Sequence, residues 1–312
     1  MSSQKPPISA RRTVLVSTLV SVSDIVINVV AAVLTGSVVL LAQALQGFAD
    51  LTSTLMLLIG VQRAGRKPDV KHPMGFGREL FFWVLLSSLF TFVVTASISL
   101  YQGARRVLEP TSIDNTQLAF LILGVGLLSN GFSFSLGLMR MKSRAGKGGL
   151  LNMLLNSSLV ETKMSMLVDL MGTLSASLGL LAIGLFTLTD DSRFDGLGAV
   201  AIGTLTAIGA LFVINDLRSL IVGRSPSQYT VQRIRRAALR VKDVNEILEL
   251  HAMLVGSGEV FVIIEVHFAD DLTTDQIEKR ADQIKASIQK DVSSVIRVQV
   301  EPETPDDELT VR

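Results

Sequence analysis

Up to about residue 224 the chain alternates long apolar runs with short polar breaks, and beyond it the pattern changes. The apolar runs predict six membrane spans, over residues 13–34, 37–62, 80–100, 118–138, within 159–188, and 197–214. Each is close to the roughly 20 helical residues that cross a bilayer's hydrocarbon core. Thr35-Gly36 turns the chain between the first two spans, and Pro110 stops the polar helix end YQGARRVLEP after the third. After the linker Ser225-Pro226-Ser227, an amphipathic basic helix is predicted over 230–241. Strands over 244–255 and 259–268 flank the hairpin signal Gly256-Ser257-Gly258. Thr273 reads as the N-cap of a helix running to about Lys290, and 294–300 as a third strand. The expected fold is therefore an α-helical integral membrane protein with six transmembrane helices, plus a C-terminal cytoplasmic α+β domain (αββαβ, ferredoxin-like). The expected boundaries are an N-terminal segment 1–12, a membrane domain 13–224, an αββαβ domain 225–302 and a polar tail 303–312.

Charge orients this pattern. Lys5, Arg11 and Arg12 precede span 1, five Lys or Arg from Arg63 to Arg78 lie between spans 2 and 3, and Arg140, Lys142, Arg144 and Lys147 lie between spans 4 and 5. The alternate loops carry none, Arg105 with Arg106, and Arg193. The positive-inside bias places both termini in the cytoplasm, and we expect a bacterial or archaeal cell (inner) membrane. The polar N-terminus and the length of the first apolar run argue against a cleavable signal peptide. Of the 312 residues 48% are hydrophobic and 18% charged, with mean hydropathy +0.48. Cysteine is absent, which excludes disulfides, thiolate zinc sites and cysteine nucleophiles. A net charge of +1 predicts no nucleic-acid partner.

A few polar residues interrupt the spans. Asp50 lies mid-span in SVVLLAQALQGFADLTSTLMLLIG, with Gln46 one helical turn earlier on the same face. Span 5 repeats the arrangement with Ser165 and Asp169, and span 1 with Asp24 and Asn28. A carboxylate at membrane depth faces a polar interior and marks an ion or proton path. If spans 2 and 5 pack together, Gln46, Asp50, Ser165 and Asp169 form an oxygen-only, roughly tetrahedral site. Its two carboxylates neutralise a divalent cation. Asp24 and Asn28 read as cavity-lining or structural, Glu161 and Lys163 as the cavity mouth, and Asn130 as interhelical glue. There is no HExxH, no nucleophile elbow and no intramembrane histidine to act as a base, so an enzyme is not expected.

The segments TGSVVLLAQALQGFADLTSTLMLLIG, KPDVKHPMGFGRE, SLYQGARRVLEP, FDGLGAVAIG and SLIVGR together resemble the cation diffusion facilitator family of divalent metal transporters. The pattern is closest to the branch that includes mitochondrial-type zinc exporters. The resemblance implies six spans, cytoplasmic termini, a dimerising αββαβ domain and exchange of Zn²⁺ or a related ion for protons. It implies a transport site at Asp50 and Asp169, with Gln46 and Ser165 where the family usually has His or Asp. Carboxylate and carbonyl oxygens suit Mg, Ca or Mn, whereas imidazole suits Zn.

The resemblance also implies regulatory metal binding between protomers by His251 and His267 with Gln299 and Glu301. A loop metal at Asp69 and His72 would lack its third ligand, because Phe76 stands there; a turn role is the alternative. Arg78 matches a basic residue of a charge cluster near the dimer's neck, or is a plain positive-inside anchor. The expected function is a homodimeric secondary transporter, with no organic cofactor. It exports a divalent cation (Zn²⁺, with Mn²⁺ or Fe²⁺ as alternatives) from the cytoplasm in exchange for protons. Two carboxylates buried together without metal repel one another; protonation discharges the site and metal binding expels the protons. The alternative is a transport-inactive family member acting as a partner or regulatory subunit.

Overall fold

The computed structural model describes residues 10–144 and 160–305. They belong to two compact units. The first is built from most of α1 (Ala10–Thr35), α2 (Val38–Ala64), α3 (Glu79–Leu108), α4 (Thr116–Arg144), α5 (Val160–Thr189) and α6 (Arg193–Val222), with the last residues of α2 and α6 and the first of α3 and α5 counted in the second. The α3 helix contains a π-helical stretch at Thr91–Ala96. Five helices, α2 to α6, are long and apolar enough to cross a membrane. The expectation of six spans is thus met for five. In α1 only the part Ser21–Thr35 is described well enough to judge, and it is a shorter apolar helix. Lys5 and Lys147, used above for orientation, lie outside the described residues, as does the side chain of Glu161.

Local chemistry sets the helix ends. Gly36, at φ +67°, ends α1 in the left-handed conformation, and its N–H donates to Ala32 O at 2.9 Å. The next helix is capped from a distant part of the chain. Asp195, fully buried in the first turn of α6, accepts hydrogen bonds from Ser37 Oγ (2.5 Å), Val38 N (2.8 Å) and Val39 N (3.1 Å). A carboxylate there satisfies donors that the first turn of α2 leaves unpaired and sits at the positive end of the helix dipole. Glycines bring α3 and α6 together: a Cβ on Gly103 would lie 2.7 Å from Val200 N and 2.8 Å from Gly196 O. Small residues at crossings are the usual route to close helix contact in a bilayer.

The apolar core of this unit lies at one end. It gathers Ala31 of α1, Val39 and Leu40 of α2, Leu123 of α4, Ile183 of α5 and Ile202 of α6. These residues lie within about three turns of loops 1–2, 3–4 and 5–6, so the helices are tightly packed there. Asp50 of α2 and Asn130 of α4 lie near the middle of their helices, and Ser165 and Asp169 lie nearer the Val160 end of α5.

The second unit includes residues 61–81 and the C-terminal fold. It runs α7 (Gln228–Leu239), β1 (Val244–Gly256), β2 (Glu259–Phe268), α8 (Thr274–Asp291) and β3 (Val295–Pro302), the αββαβ order read from the sequence. The sheet order is β1-β2-β3; β1 and β2 are antiparallel, and β2 and β3 are parallel across the α8 crossover. Val260, Val262, Ile264 and Val266 alternate along β2 onto one buried face with Ile234 of α7 and Ile284 and Ile288 of α8. The α7 helix starts two residues earlier than expected because Ser227 caps it, accepting from Thr230 N. At Thr273 the backbone N–H donates to Gln276 Oε1 at 2.8 Å, one half of a capping box.

Candidate functional site

Asp50 stands midway along α2, and its surroundings follow from two small residues. A Cβ on Gly47 would lie 3.2 Å from Ile25 Cγ1 and 3.6 Å from Asp24 Oδ2, so the glycine lets Asp24 of α1 rest against α2. On α5, one turn beyond Asp169, a Cβ on Gly172 would lie 2.8 Å from Asn130 Cγ, so this glycine admits Asn130 from α4. The result is a cavity of about 330 Å³ lined by Asp24, Asp50, Asn130, Ser165 and Asp169, with Ser21, Ser53, Thr54 and Ser129 also contributing oxygen. Among the described residues no lysine or arginine lines it. From Asp50 it extends through Thr54 to Leu57 on α2, and from Asp169 back to Met164 on α5. It therefore points away from the packed end of the bundle.

Four helices thus bring Asp50, Asp169 and Ser165 to one cavity and add Asp24 and Asn130. Gln46 is placed differently. It is buried, and its Nε2 donates to Asp50 Oδ1 at 3.0 Å, while its Oε1 accepts from Thr206 Oγ1 of α6 at 2.8 Å. It lines a second, smaller cavity of about 80 Å³ between α2, α3, α5 and α6, with Ser87, Ser88, Thr91 and Thr206. Asp50 lines both cavities and so stands in the wall between them. Among the described residues no three His, Cys, Asp or Glu side chains are close enough to hold one metal ion. The carboxylates surround a space without converging on a point.

Two further polar residues of the bundle have partners of their own. Asn28 is buried and donates to the Asp24 carbonyl at 2.9 Å, a contact within α1. Lys163 does not stand at a cavity mouth, as its spacing suggested. Its side chain is 3% exposed, its Nζ lies 2.7 Å from Asp216 Oδ2 on α6, and the ammonium sits 5.4 Å from the Phe212 ring centre. The acid that turns it inward lies 53 positions along the chain.

In the loop, Asp69 and His72 are both exposed and close a turn: His72 N donates to Asp69 Oδ1 at 2.6 Å, and His72 Nδ1 lies 3.1 Å from the same oxygen. Mainly through that backbone N–H, the Asp69 carboxyl is held below the usual carboxylate range. The Phe76 ring centre lies 4.4 Å from that of His72, the two rings tilted by 40°. Arg78 donates to Met253 Sδ at 3.3 Å.

On the C-terminal sheet, His251 is opposite Ile263, which is in turn beside Gln299, whereas His267 is opposite Glu246. The two histidines share a face but are offset by four positions along β2, about 13 Å. His251 Nε2 instead lies 2.9 Å from Glu249 Oε2, and Gln299 donates to Glu301 Oε1 at 2.7 Å. Glu265, beside Glu301 on the same face, was not singled out from the sequence, although strand alternation from His267 places it there. Desolvation, followed by the nearby Glu249, Glu303 and Glu301 charges, pushes its carboxyl above the usual range.

Comparison with known proteins places this geometry in context. The profile of the cation efflux transmembrane domain matches residues 14–222, and that of the cation efflux protein cytoplasmic domain matches residues 226–303. The human "proton-coupled zinc antiporter SLC30A9, mitochondrial" is 27% identical over 260 residues, covering 82% of this chain and 46% of its own length. Metal tolerance protein C4 of Arabidopsis thaliana is 22% identical over 245 residues, covering 78% and 53%. Zinc transporter ZitB of Escherichia coli is 23% identical over 282 residues, covering 89% and 85%. The chain spans about half the length of the first of these relatives. A solved MamM CTD in a nickel form covers 26% of this chain and all of its own, at 20% identity and a TM-score of 0.25.

Proposed function

We propose, from the premise that this chain belongs to the cation efflux family, that it is a secondary transporter of a divalent metal cation. It carries the ion out of the cytoplasm in exchange for protons, with Asp50 and Asp169 as the principal ligands. One observation carries this proposal: a cavity of about 330 Å³ lined by three carboxylates, an amide and hydroxyls, with no basic side chain among the described residues that line it. Such a space attracts a cation and, emptied of it, is relieved by protons. Oxygen donors of this kind are hard ligands, so Mn²⁺ and Fe²⁺ stand beside Zn²⁺ as candidate substrates.

The two ends of the bundle support loading of the ion from the cytoplasmic side. The apolar core closes the end at loops 1–2, 3–4 and 5–6, while the cavity extends toward the end that carries the basic loops. On the positive-inside rule that end is cytoplasmic, so the cavity receives ions from the cytoplasm. In this proposal α1 is the sixth span, residues 13–224 form the membrane domain, and residues 225–302 form a cytoplasmic domain that dimerises. His251, His267, Gln299 and Glu301 then approach partners across that dimer, since within one chain the histidines lie apart.

The test is uptake by purified protein in vesicles with an imposed pH gradient, against a panel of Zn²⁺, Mn²⁺, Fe²⁺, Co²⁺, Cd²⁺ and Mg²⁺. Flux of at least one ion that collapses with the gradient supports antiport. No flux of any ion by well-folded protein favours a partner subunit instead.

A further inference from the structure

Thr206 lies in the apolar run GTLTAIG of α6, is 2% exposed, and is absent from the ligand pattern of the sequence. Its hydroxyl is within hydrogen-bond distance of two acceptors, Ile202 O at 2.9 Å and Gln46 Oε1 at 2.8 Å. A hydroxyl has one proton to donate and lone pairs to accept with, so two arrangements satisfy the group. In the first, Thr206 donates to Gln46 Oε1, and the Gln46 NH₂ group donates to Asp50 Oδ1. In the second, Thr206 donates to Ile202 O and accepts from the Gln46 NH₂ group. The amide is then turned by half a rotation, and Gln46 Oε1 faces Asp50. The positions occupied stay the same, because the oxygen and nitrogen of the amide exchange places in the turn.

The difference matters to a cation. With its NH₂ toward Asp50, Gln46 braces the empty carboxylate and repels a metal. With its oxygen toward Asp50, it is a neutral ligand. Gln46 is buried, and an amide end left without a partner there is costly. Few side chains fit both ends; a hydroxyl does, and an apolar group of the same shape fits neither.

We infer that Thr206 is a positioning residue that lets Gln46 alternate between bracing Asp50 and ligating the cation held there. This deepens the proposal that Asp50 binds the transported ion, and rests on it.

The experiment is metal flux by the full chain in vesicles, using the ion that the panel identifies, for Thr206→Val, Thr206→Ser, Gln46→Ala, Thr206→Val/Gln46→Ala and Asp50→Asn. Thr206→Val is expected to raise KM about 3- to 10-fold, the scale of one buried hydrogen bond, with the maximal rate changed less than about 2-fold. Thr206→Ser keeps the hydroxyl and stays within about 2-fold of the parent. In the Gln46→Ala background Thr206→Val adds nothing, because Thr206 acts only through the amide. An unchanged KM in Thr206→Val overturns the inference. So does a Thr206→Val effect that persists in full without Gln46, or one that Ser fails to rescue. Asp50→Asn separates the two levels: if it transports like the parent, the site itself is misassigned, whatever Thr206 does.

Discussion

Lys163 and Asp216 form the buried ion pair that ties α5 to α6, and breaking it yields a prediction with a definite size. Lys163→Met keeps the length of the side chain and removes the ammonium, so that Asp216, with 14% of its side chain exposed, loses its partner on α5. Removing one partner of a buried pair costs about 3–5 kcal/mol, because the remaining charge is left uncompensated. The residual exposure of Asp216 places Lys163→Met at about 3 kcal/mol, the lower end of that range. Asp216→Leu strands an ammonium whose side chain is only 3% exposed, and belongs at the upper end, about 5 kcal/mol. The Lys163→Met/Asp216→Leu double variant buries no charge and should cost under about 1 kcal/mol, since apolar replacement of a whole pair is often neutral. At about 2–4 °C per kcal/mol, the single variants should unfold roughly 6–20 °C below the parent and the double within about 4 °C. Thermal unfolding in detergent, followed by intrinsic fluorescence, measures all four proteins. Additive losses in the double, or single variants within about 2 °C of the parent, would refute the pair and the helix contact it anchors.

Three further outcomes follow from the fold. Asp195→Ala should destabilise the membrane unit by about 2–3 kcal/mol, since it orphans the Ser37 hydroxyl and two N–H donors of α2; thermal unfolding of the variant checks this. The Glu265 carboxyl is pushed above its ordinary 4.5 in the fold, so its ionised form is penalised there. That penalty is absent below pH 4.5 and grows as pH rises through the folded value. Glu265→Gln should therefore raise the unfolding midpoint of the C-terminal domain at pH 7 and leave it unchanged near pH 4; equal effects at both would count against it. Because the chain has no cysteine, single introduced cysteines report topology cleanly. Lys71→Cys should resist an impermeant thiol reagent in intact cells and Asp114→Cys should react, the reverse pattern overturning the orientation.

The long uncharged runs made five of the helices legible, and strand alternation with Thr273 made the αββαβ order legible. The surroundings of Asp50 were less so, for geometric reasons. The i,i+4 spacing put Gln46 and Asp50 on one face, but it could not show that Thr206, 160 positions away, turns the amide aside from the larger cavity. Asp24 and Asn130 reach that cavity because Gly47 and Gly172 leave room for them, and which helices face those glycines is not written in either helix alone. Lys163 looked like a solvated charge because its acid is on another helix. His251 and His267 lie on the same sheet face, but irregularities in the β1–β2 register, one of them between Ile247 and Leu250, and the strand spacing keep them apart.

In the proposed transport cycle Asp50 and Asp169 hold the transported cation and couple it to protons. The measurement is metal uptake by vesicles containing a pH-sensitive dye, comparing the parent with Asp50→Asn and Asp169→Asn. Asparagine keeps the volume and one oxygen, so the variants should stay folded, with unfolding midpoints near that of the parent. Each leaves a single carboxylate of the pair to hold M²⁺ away from water and to exchange for protons. Both variants are expected to lose metal flux and the accompanying proton flux together. Parent-like flux of metal and protons in both would contradict it and put the transport site elsewhere.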